Sequence, residues 1–246
     1  MNVTLIDYTG AGNPDPDHAI NILIFTKNTR LEMKPGLLEQ IAAWPTKKKL
    51  TELEYIANTI PSSWEFVHYT WLISDVTRAF THQFVRSRQF SFAQQTMRVL
   101  NVSGWEYATG PSIKEKSLEL NHIYNTEMQN ISRTYDELIE KGANVEDARG
   151  ILPTNILTNI VGSCNMRTFV ELVRKRSSSR TQDEYRAVLD GMKAEVEKVH
   201  PWIDLFIDRT FERAAADLDL EIRALDISQE KKMRMIKLSD QMRGQS

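Results

Sequence analysis

Residues 64–98 read WEFVHYTWLISDVTRAFTHQFVRSRQFSFAQQTMR, and the fold turns on this stretch. Trp64 to Ser74 is crowded with aromatic and β-branched side chains, which suit a pleated, half-buried surface, so it reads as a strand. Asp75 follows as the expected N-cap of a helix reaching about Arg86, with Val76, Ala79, Phe80 and Phe84 on one face. Gln89 to Thr96 reads as irregular, and Met97 to Val102 as a further strand. A strand running straight into a helix, then back toward extended chain, predicts a mixed α and β architecture.

Outward from this stretch, Val3 to Asp7 reads as a short strand and Gly10 to Asp17 as turns. The apolar run Ala19 to Phe25 fits helix or strand equally, since periodicity does not separate short apolar runs. Leu37 to Ile60 reads as two helical pieces broken at Pro45. Ser117 to Lys141 is the clearest helix, with the stripe Leu120, Ile123, Tyr124, Met128, Ile131, Tyr135, Leu138 and Ile139, and Gly142 as its stop. Val145 to about Val161 is expected to be helical around a kink at Pro153. Asn165 caps a helix with Met166, Phe169, Val170 and Val173 inward, and another helix runs from about Gln182 to Val199. The charged tail after Arg209 predicts a helical extension over 210–246 with a frayed end. With no internal repeat or low-complexity linker, residues 1–246 read as a single α+β domain.

Composition excludes several classes of function. Of 246 residues, 41% are apolar and 26% charged, so the chain is neither disordered nor a disulfide scaffold. A net charge of −2 gives no global nucleic-acid surface. No apolar run approaches a membrane span, and MNVTLIDYTG lacks a secretory pattern. The single cysteine, Cys164, points to a reducing compartment, the cytoplasm of a cell or of a phage's host. The sequence carries no GxSxG, phosphate-loop, GxGxxG or HExxH motif, and its five histidines are scattered without metal-ligand spacing. Cys164, in an apolar setting, reads as a buried structural thiol. His68 reads as a core or interface histidine, and Trp64, Tyr69 and Trp71 as core. Chemistry is therefore expected to belong to a bound organic cofactor that the protein positions.

Arginine placement is the feature that remains. Arg86, Arg88 and Arg98 fall within one aromatic and Gln/Ser/Thr-rich segment. Arg167, Arg174, Arg176 and Arg180 form a second set, with Arg149 between the two. Planar guanidinium forks suit phosphate and carboxylate oxygens, while Gln, Ser and Thr bond base edges and sugars. The combination suits a phosphorylated, ring-bearing small molecule; a solvated arginine face with scattered ion pairs is the other reading.

These residues resemble the flavin-dependent thymidylate synthases, whose signature is Arg-His-Arg followed by spaced Ser, Ser and Arg. The matching residues here are Arg86-Ser87-Arg88, Ser91, Thr96 and Arg98. Ser62-Ser63-Trp64-Glu65, Ala148-Arg149-Gly150-Ile151-Leu152-Pro153 and Asn165-Met166-Arg167 through Arg176 resemble further family segments in the same order. The resemblance implies a central, mostly antiparallel sheet flanked by long helices, and a homotetramer with FAD at subunit interfaces. It also implies transfer of a one-carbon unit from methylenetetrahydrofolate to C5 of dUMP, with NADPH as reductant, giving dTMP. Carried over by position, Arg176, Arg98 and Gln83 are the catalytic residues. Gln83, Gln94, Gln95, Thr96, Arg98, Arg149 and Arg176 hold the nucleotide. Glu65, Arg86, Ser87, Arg88, Asn165, Arg167 and Glu171 line the flavin. No metal is implied.

The sequence departs from the family pattern within this site. Ser87 stands where the signature has His, Ala93-Gln94 where Asn-Glu is usual, and Thr96 where Ser is usual. Glu171 replaces a common amide and Arg180 a common His. Ser87 removes a ring that titrates near neutral pH, and Gln94 removes a formal charge. These changes leave open C5 methylation or hydroxymethylation of another pyrimidine nucleotide (UMP, dCMP, CMP, or dUMP to its hydroxymethyl form). They also leave open a flavin- and nucleotide-binding relative without turnover.

Overall fold

The computed structural model describes residues 1–28, 33–34, 36–176, 181–207, 222, 224–225 and 227–244. Its centre is a four-stranded antiparallel sheet ordered β1-β2-β4-β3. The strands are β1 (Asn2–Tyr8), β2 (His68–Thr77), β3 (Ser91–Gln94) and β4 (Leu157–Asn165). The first helices in the chain are α1 (His18–Lys27), α2 (Leu37–Ala42), α3 (Thr46–Thr59) and α4 (Arg78–Phe84). They are followed by the short α5 (Pro111–Lys114), the long α6 (Leu118–Glu140) and the single turn α7 (Val145–Ala148). Last come α8 (Met166–Arg176), α9 (Asp183–Val199) and α10 (Asp204–Ile207). A further helix, Gln229–Gly244, lies in the charged tail. The α+β class and the antiparallel sheet are as the sequence and its resemblance implied.

Burial decides the undecided run at 19–25: it is helix α1, with Ala19, Ile20, Leu23 and Ile24 all buried. The break at Pro45 separates α2 from α3 as expected. Ser117 caps α6, its hydroxyl accepting from the Leu120 N–H at 3.0 Å, and Gly142 takes φ +88 just beyond the helix end. Of the α6 stripe, Met128 and Tyr135 are buried, but Leu120 and Ile123 stay exposed. Asn165 caps α8, its Oδ1 accepting from the Thr168 N–H at 2.9 Å.

Four expectations need correction. The aromatic strand begins later than Trp64, because Pro61 opens a 3₁₀ turn over Pro61–Phe66 in which Trp64 Nε1 donates to the Ile56 carbonyl at 3.2 Å. Asp75 does not cap α4. It sits inside β2 at φ +57, where the register against β4 shifts between Ile73 and Val76, and its N–H donates to Asn159 Oδ1 at 3.0 Å. Thr77 is the cap, its hydroxyl accepting from the Phe80 N–H at 3.0 Å. Residues 91–94 form strand β3 because β4 offers them a free edge, whereas 97–102 bend away with Val99 and Leu100 exposed. Residues 145–161 are not one helix: α7 and a 3₁₀ turn at Arg149–Ile151 precede Pro153, and β4 then alternates inward and outward. Within β4, Gly162 leaves room for the Phe84 ring, which a Cβ would meet at 3.1 Å.

One clamp joins these layers. The Glu184 carboxylate, in the first turn of α9, accepts from the Thr77 N–H at 2.7 Å and from its hydroxyl at 2.6 Å. Thr77→Val removes the cap and this charge-assisted bond together. It should lower unfolding free energy by roughly 2 kcal/mol in urea titration; a change under about 0.5 kcal/mol would exclude the clamp as a stabilising element.

His200 provides a pH-dependent component. It is buried, its Nδ1 lies 2.9 Å from the Tyr69 hydroxyl, and burial pushes its pKa down to about 4. The unfolded imidazole titrates near 6.5, so below that pH the unfolded state binds the extra proton. This contribution is complete above about pH 6.5 and is lost as pH falls toward 4, by up to about 3 kcal/mol. His200→Gln should flatten the stability profile between pH 4 and 6.5; an unchanged slope would assign the acid sensitivity to other groups.

Candidate active site

Helix α4 and the turn after it deliver the first arginine cluster. Its packing face, Phe80 and Phe84, is fully buried, so the chain leaves the core at Val85 and turns Arg86, Ser87 and Arg88 outward before Phe90 re-enters. Helix α8 delivers the second set in the same way. Phe169, Val170 and Leu172 anchor it, leaving Arg167, Glu171, Lys175 and Arg176 toward solvent. The two sets meet across a cavity of about 430 Å³ lined by Arg86, Ser87, Arg88, Glu171, Lys175 and Arg176, together with Gln89, Phe90, Thr168 and Leu172.

Beside this cavity Arg167 bridges two acids, donating to Glu65 at 2.7 Å and to Glu171 at 3.2 Å. These bonds, the one to Glu65 foremost, push the guanidinium pKa further up. All three groups are over a third exposed, so the network orients side chains more than it stabilises the fold. The seven residues assigned to the flavin thus gather around one wall. Asn165 takes part by capping α8 and thereby aiming Arg167, rather than by lining the cavity.

The nucleotide set is spread more widely. Arg176 also lines a second cavity, of about 420 Å³, with Asp183, Arg186 and Asp190. Gln83 donates to Gln182 Oε1 at 2.6 Å, which ties α4 to the start of α9. Gln94 donates to the Thr81 hydroxyl at 2.9 Å. Gln95 and Thr96 line a cavity of about 250 Å³ with Asp75 and Trp105. Arg149 lines another of about 280 Å³ with His82, Met97 and Glu146, its Nε donating to the Glu146 carbonyl. Arg98 is exposed, 4.0 Å from the Glu146 carboxylate. The described residues therefore bring the flavin set together, while Arg176 lines two cavities, Arg149 lines a third, and Arg98 lies beside the Glu146 that shares Arg149's cavity. Arg180 lies outside the described residues.

Two residues that shape these surfaces escape a sequence reading. Arg78 donates to the Gln95 carbonyl at 3.0 Å and lines the cavity of Arg149. Burial, and then the Arg149 charge, pulls its guanidinium below the ordinary value. The spacing of Arg78 and His82, one helical turn apart, is the signal that marks this face. Glu184 leaves no such trace, because its partner Thr77 is far away in sequence. His68, read as core or interface, is exposed at the start of β2, whereas Trp64, Tyr69 and Trp71 are core.

The family model for the thymidylate synthase complementing protein matches residues 4–202. The chain belongs to that family. It is 32% identical over 203 residues to the flavin-dependent thymidylate synthase of Sulfurisphaera tokodaii, covering 82% of this chain and 75% of the relative. The flavin-dependent thymidylate synthase of Clostridium tetani is 27% identical over 219 residues, covering 82% and 84%. That of Saccharolobus solfataricus reaches 38% over a shorter 136 residues, covering 54% and 51%. The match to the thymidylate synthase complementing protein family takes in β2, β3, β4, most of β1 and both arginine sets among the described residues.

Cys164 sits inside the apolar core. It is buried, and that burial pushes its thiol far above the ordinary range, so it remains protonated at neutral pH. Iodoacetamide at pH 8 should label it only after unfolding, and Cys164→Ala should keep turnover within about twofold. Rapid native-state alkylation would contradict the burial, and loss of turnover in a folded Cys164→Ala protein would restore the thiol to the chemistry.

Proposed function

We propose that this chain is a flavin-dependent thymidylate synthase: it transfers a one-carbon unit from methylenetetrahydrofolate to C5 of dUMP, giving dTMP. The observation that carries this reading is the 430 Å³ cavity where Arg86, Ser87 and Arg88 face Glu171, Lys175 and Arg176. Its cations and hydroxyls fit the pyrophosphate and ribose of FAD, with Glu65, Asn165 and Arg167 shaping the adjoining wall. A flavin held there, once reduced by NADPH, would supply the hydride equivalent needed to turn the methylene into a methyl group.

The protein's own residues do the positioning. Arg176 places a cation where negative charge develops on the pyrimidine as C5 acts as nucleophile. Arg98 and Arg149 hold the phosphate, and Gln83, Gln94, Gln95 and Thr96 bond the base and sugar, fixing C5 against its partner without reacting themselves. The neutral, buried Cys164 thiol supports a route with no covalent enzyme adduct.

The spread of the nucleotide set over several cavities supports a homotetramer whose sites combine residues of neighbouring subunits. The exposed apolar side chains Val99, Leu118 and Ile123 suit such contacts. The reading as a single domain keeps its C-terminal extension: the described helix Gln229–Gly244 supports the helical tail, while 210–221 lie outside the described residues. The single cysteine supports a cytoplasmic location, and among the described residues no helix is long and apolar enough to cross a membrane.

A competition assay tests this. Protein with FAD, NADPH and methylenetetrahydrofolate, offered dUMP, UMP, dCMP and CMP together, should add a methyl group to dUMP alone by mass spectrometry. Methylation of another nucleotide, a hydroxymethyl product, or no product from flavin-loaded protein would overturn the reading. Arg176→Ala should raise the dUMP dissociation constant at least about a hundredfold while FAD stays bound, as expected for loss of a charged, hydrogen-bonded partner.

A further inference from the structure

Tyr185 is a fully buried residue in the first turns of α9, and it touches three parts of the candidate site. The Arg176 guanidinium carbon lies 5.3 Å from its ring centroid. Phe80 and Phe84, which hold the segment leading to Arg86 and Ser87, pack edge-on against the same ring at 5.2 and 6.1 Å. Its neighbour Gln182 is the acceptor for Gln83. One ring therefore braces the end of α4 and the end of α8, the two segments that carry the arginine sets.

We propose that Tyr185 is a positioning residue for nucleotide binding: its ring face holds the Arg176 guanidinium at the mouth of the two cavities that Arg176 lines. The inference rests on the nucleotide role given to Arg176 above. Arg176 is the last described residue of α8 and is exposed. Among the described residues no carboxylate forms an ion pair with it. A long cation at a helix end samples many rotamers, and a fixed aromatic face restricts them at little entropic cost. An ionic alternative is disfavoured by the state of the phenol. Burial pushes the Tyr185 hydroxyl up, with Ser87 and Arg176 opposing, so the group stays neutral at physiological pH. The contact to Arg176 is thus one between a cation and a neutral ring.

The same ring is also core, so the test must separate electrostatics from volume. FAD-loaded protein would be titrated with dUMP in three forms: Tyr185→Phe, Tyr185→Leu, and Tyr185 replaced by pentafluorophenylalanine, which keeps the ring volume but reverses its quadrupole. Tyr185→Phe should hold dUMP affinity within about twofold. The pentafluoro form, which keeps the packing, should weaken it about fivefold with FAD affinity unchanged, and the Leu form at least as much, the loss expected for a partly exposed cation–ring contact. In an Arg176→Gln background, itself measurably weakened, Tyr185→Leu should add less than about twofold. Equal affinity for the Phe and pentafluoro forms, or a full additive loss in the Arg176→Gln background, would overturn the proposal and leave Tyr185 as packing alone. An Arg176→Gln protein with undiminished dUMP affinity would instead overturn the nucleotide reading, and this proposal with it.

Discussion

The Thr77–Glu184 clamp is the constraint on which the arrangement depends. A threonine hydroxyl cannot both cap α4 and bond a carboxylate unless strand, helix start and α9 are held at fixed distances. The bond is short, charge-assisted and largely sheltered from water, which makes it worth more than an exposed equivalent. It fixes where β2 ends and hence the angle at which α4 leaves the sheet. Everything from Gln83 to Arg88 inherits its position from that exit.

The bulge at Asp75 belongs to the same constraint. By absorbing a register shift two residues before the clamp, it lets β2 keep pairing with β4 while rotating Thr77 toward α9. The sheet beneath is closed by aromatic packing, with Trp71 against Phe169 at 5.1 Å and Phe84 against Phe90 and Phe92. A rigid apolar base of this kind permits a polar rim. Arginines that would cost heavily inside a core can line open cavities at its edge, oriented by partial neutralisation, as Glu65 and Glu171 do for Arg167.

Electrostatic division of labour follows from burial. Groups inside the core are kept neutral: Cys164 as a thiol, His200 as imidazole, Tyr69 and Tyr185 as phenols. The buried Lys49 pairs with the Asp17 carboxylate at 2.9 Å, and at the rim Arg78 and Arg149 line one cavity while four cations share another with a single glutamate. Such surplus positive potential suits anionic, phosphorylated ligands and membership of a family whose relatives are named as flavin-dependent thymidylate synthases.

Much of this was legible in the residues. The long helix from Ser117, the Asn165 cap, the break at Pro45 and the core identity of Trp64, Tyr69 and Trp71 follow from local rules of capping, periodicity and apolar burial. So do the two arginine clusters, whose ordered spacing carried the family resemblance. What the residues alone misassigned were features set by partners distant in the chain. Ser91–Gln94 is a strand only because β4 presents an edge to it, and 157–165 is a strand rather than helix because β2 and β3 flank it. Asp75 loses its cap role to Thr77 because Glu184, more than a hundred residues later, holds that threonine. Sequence by itself determined which residues are apolar, which can cap and which carry charge, since these are properties of side chains and their near neighbours. Only the tertiary structure decided which strand edges pair, which hydroxyl meets which carboxylate and which arginines share a cavity, because those depend on distances that local chemistry does not encode.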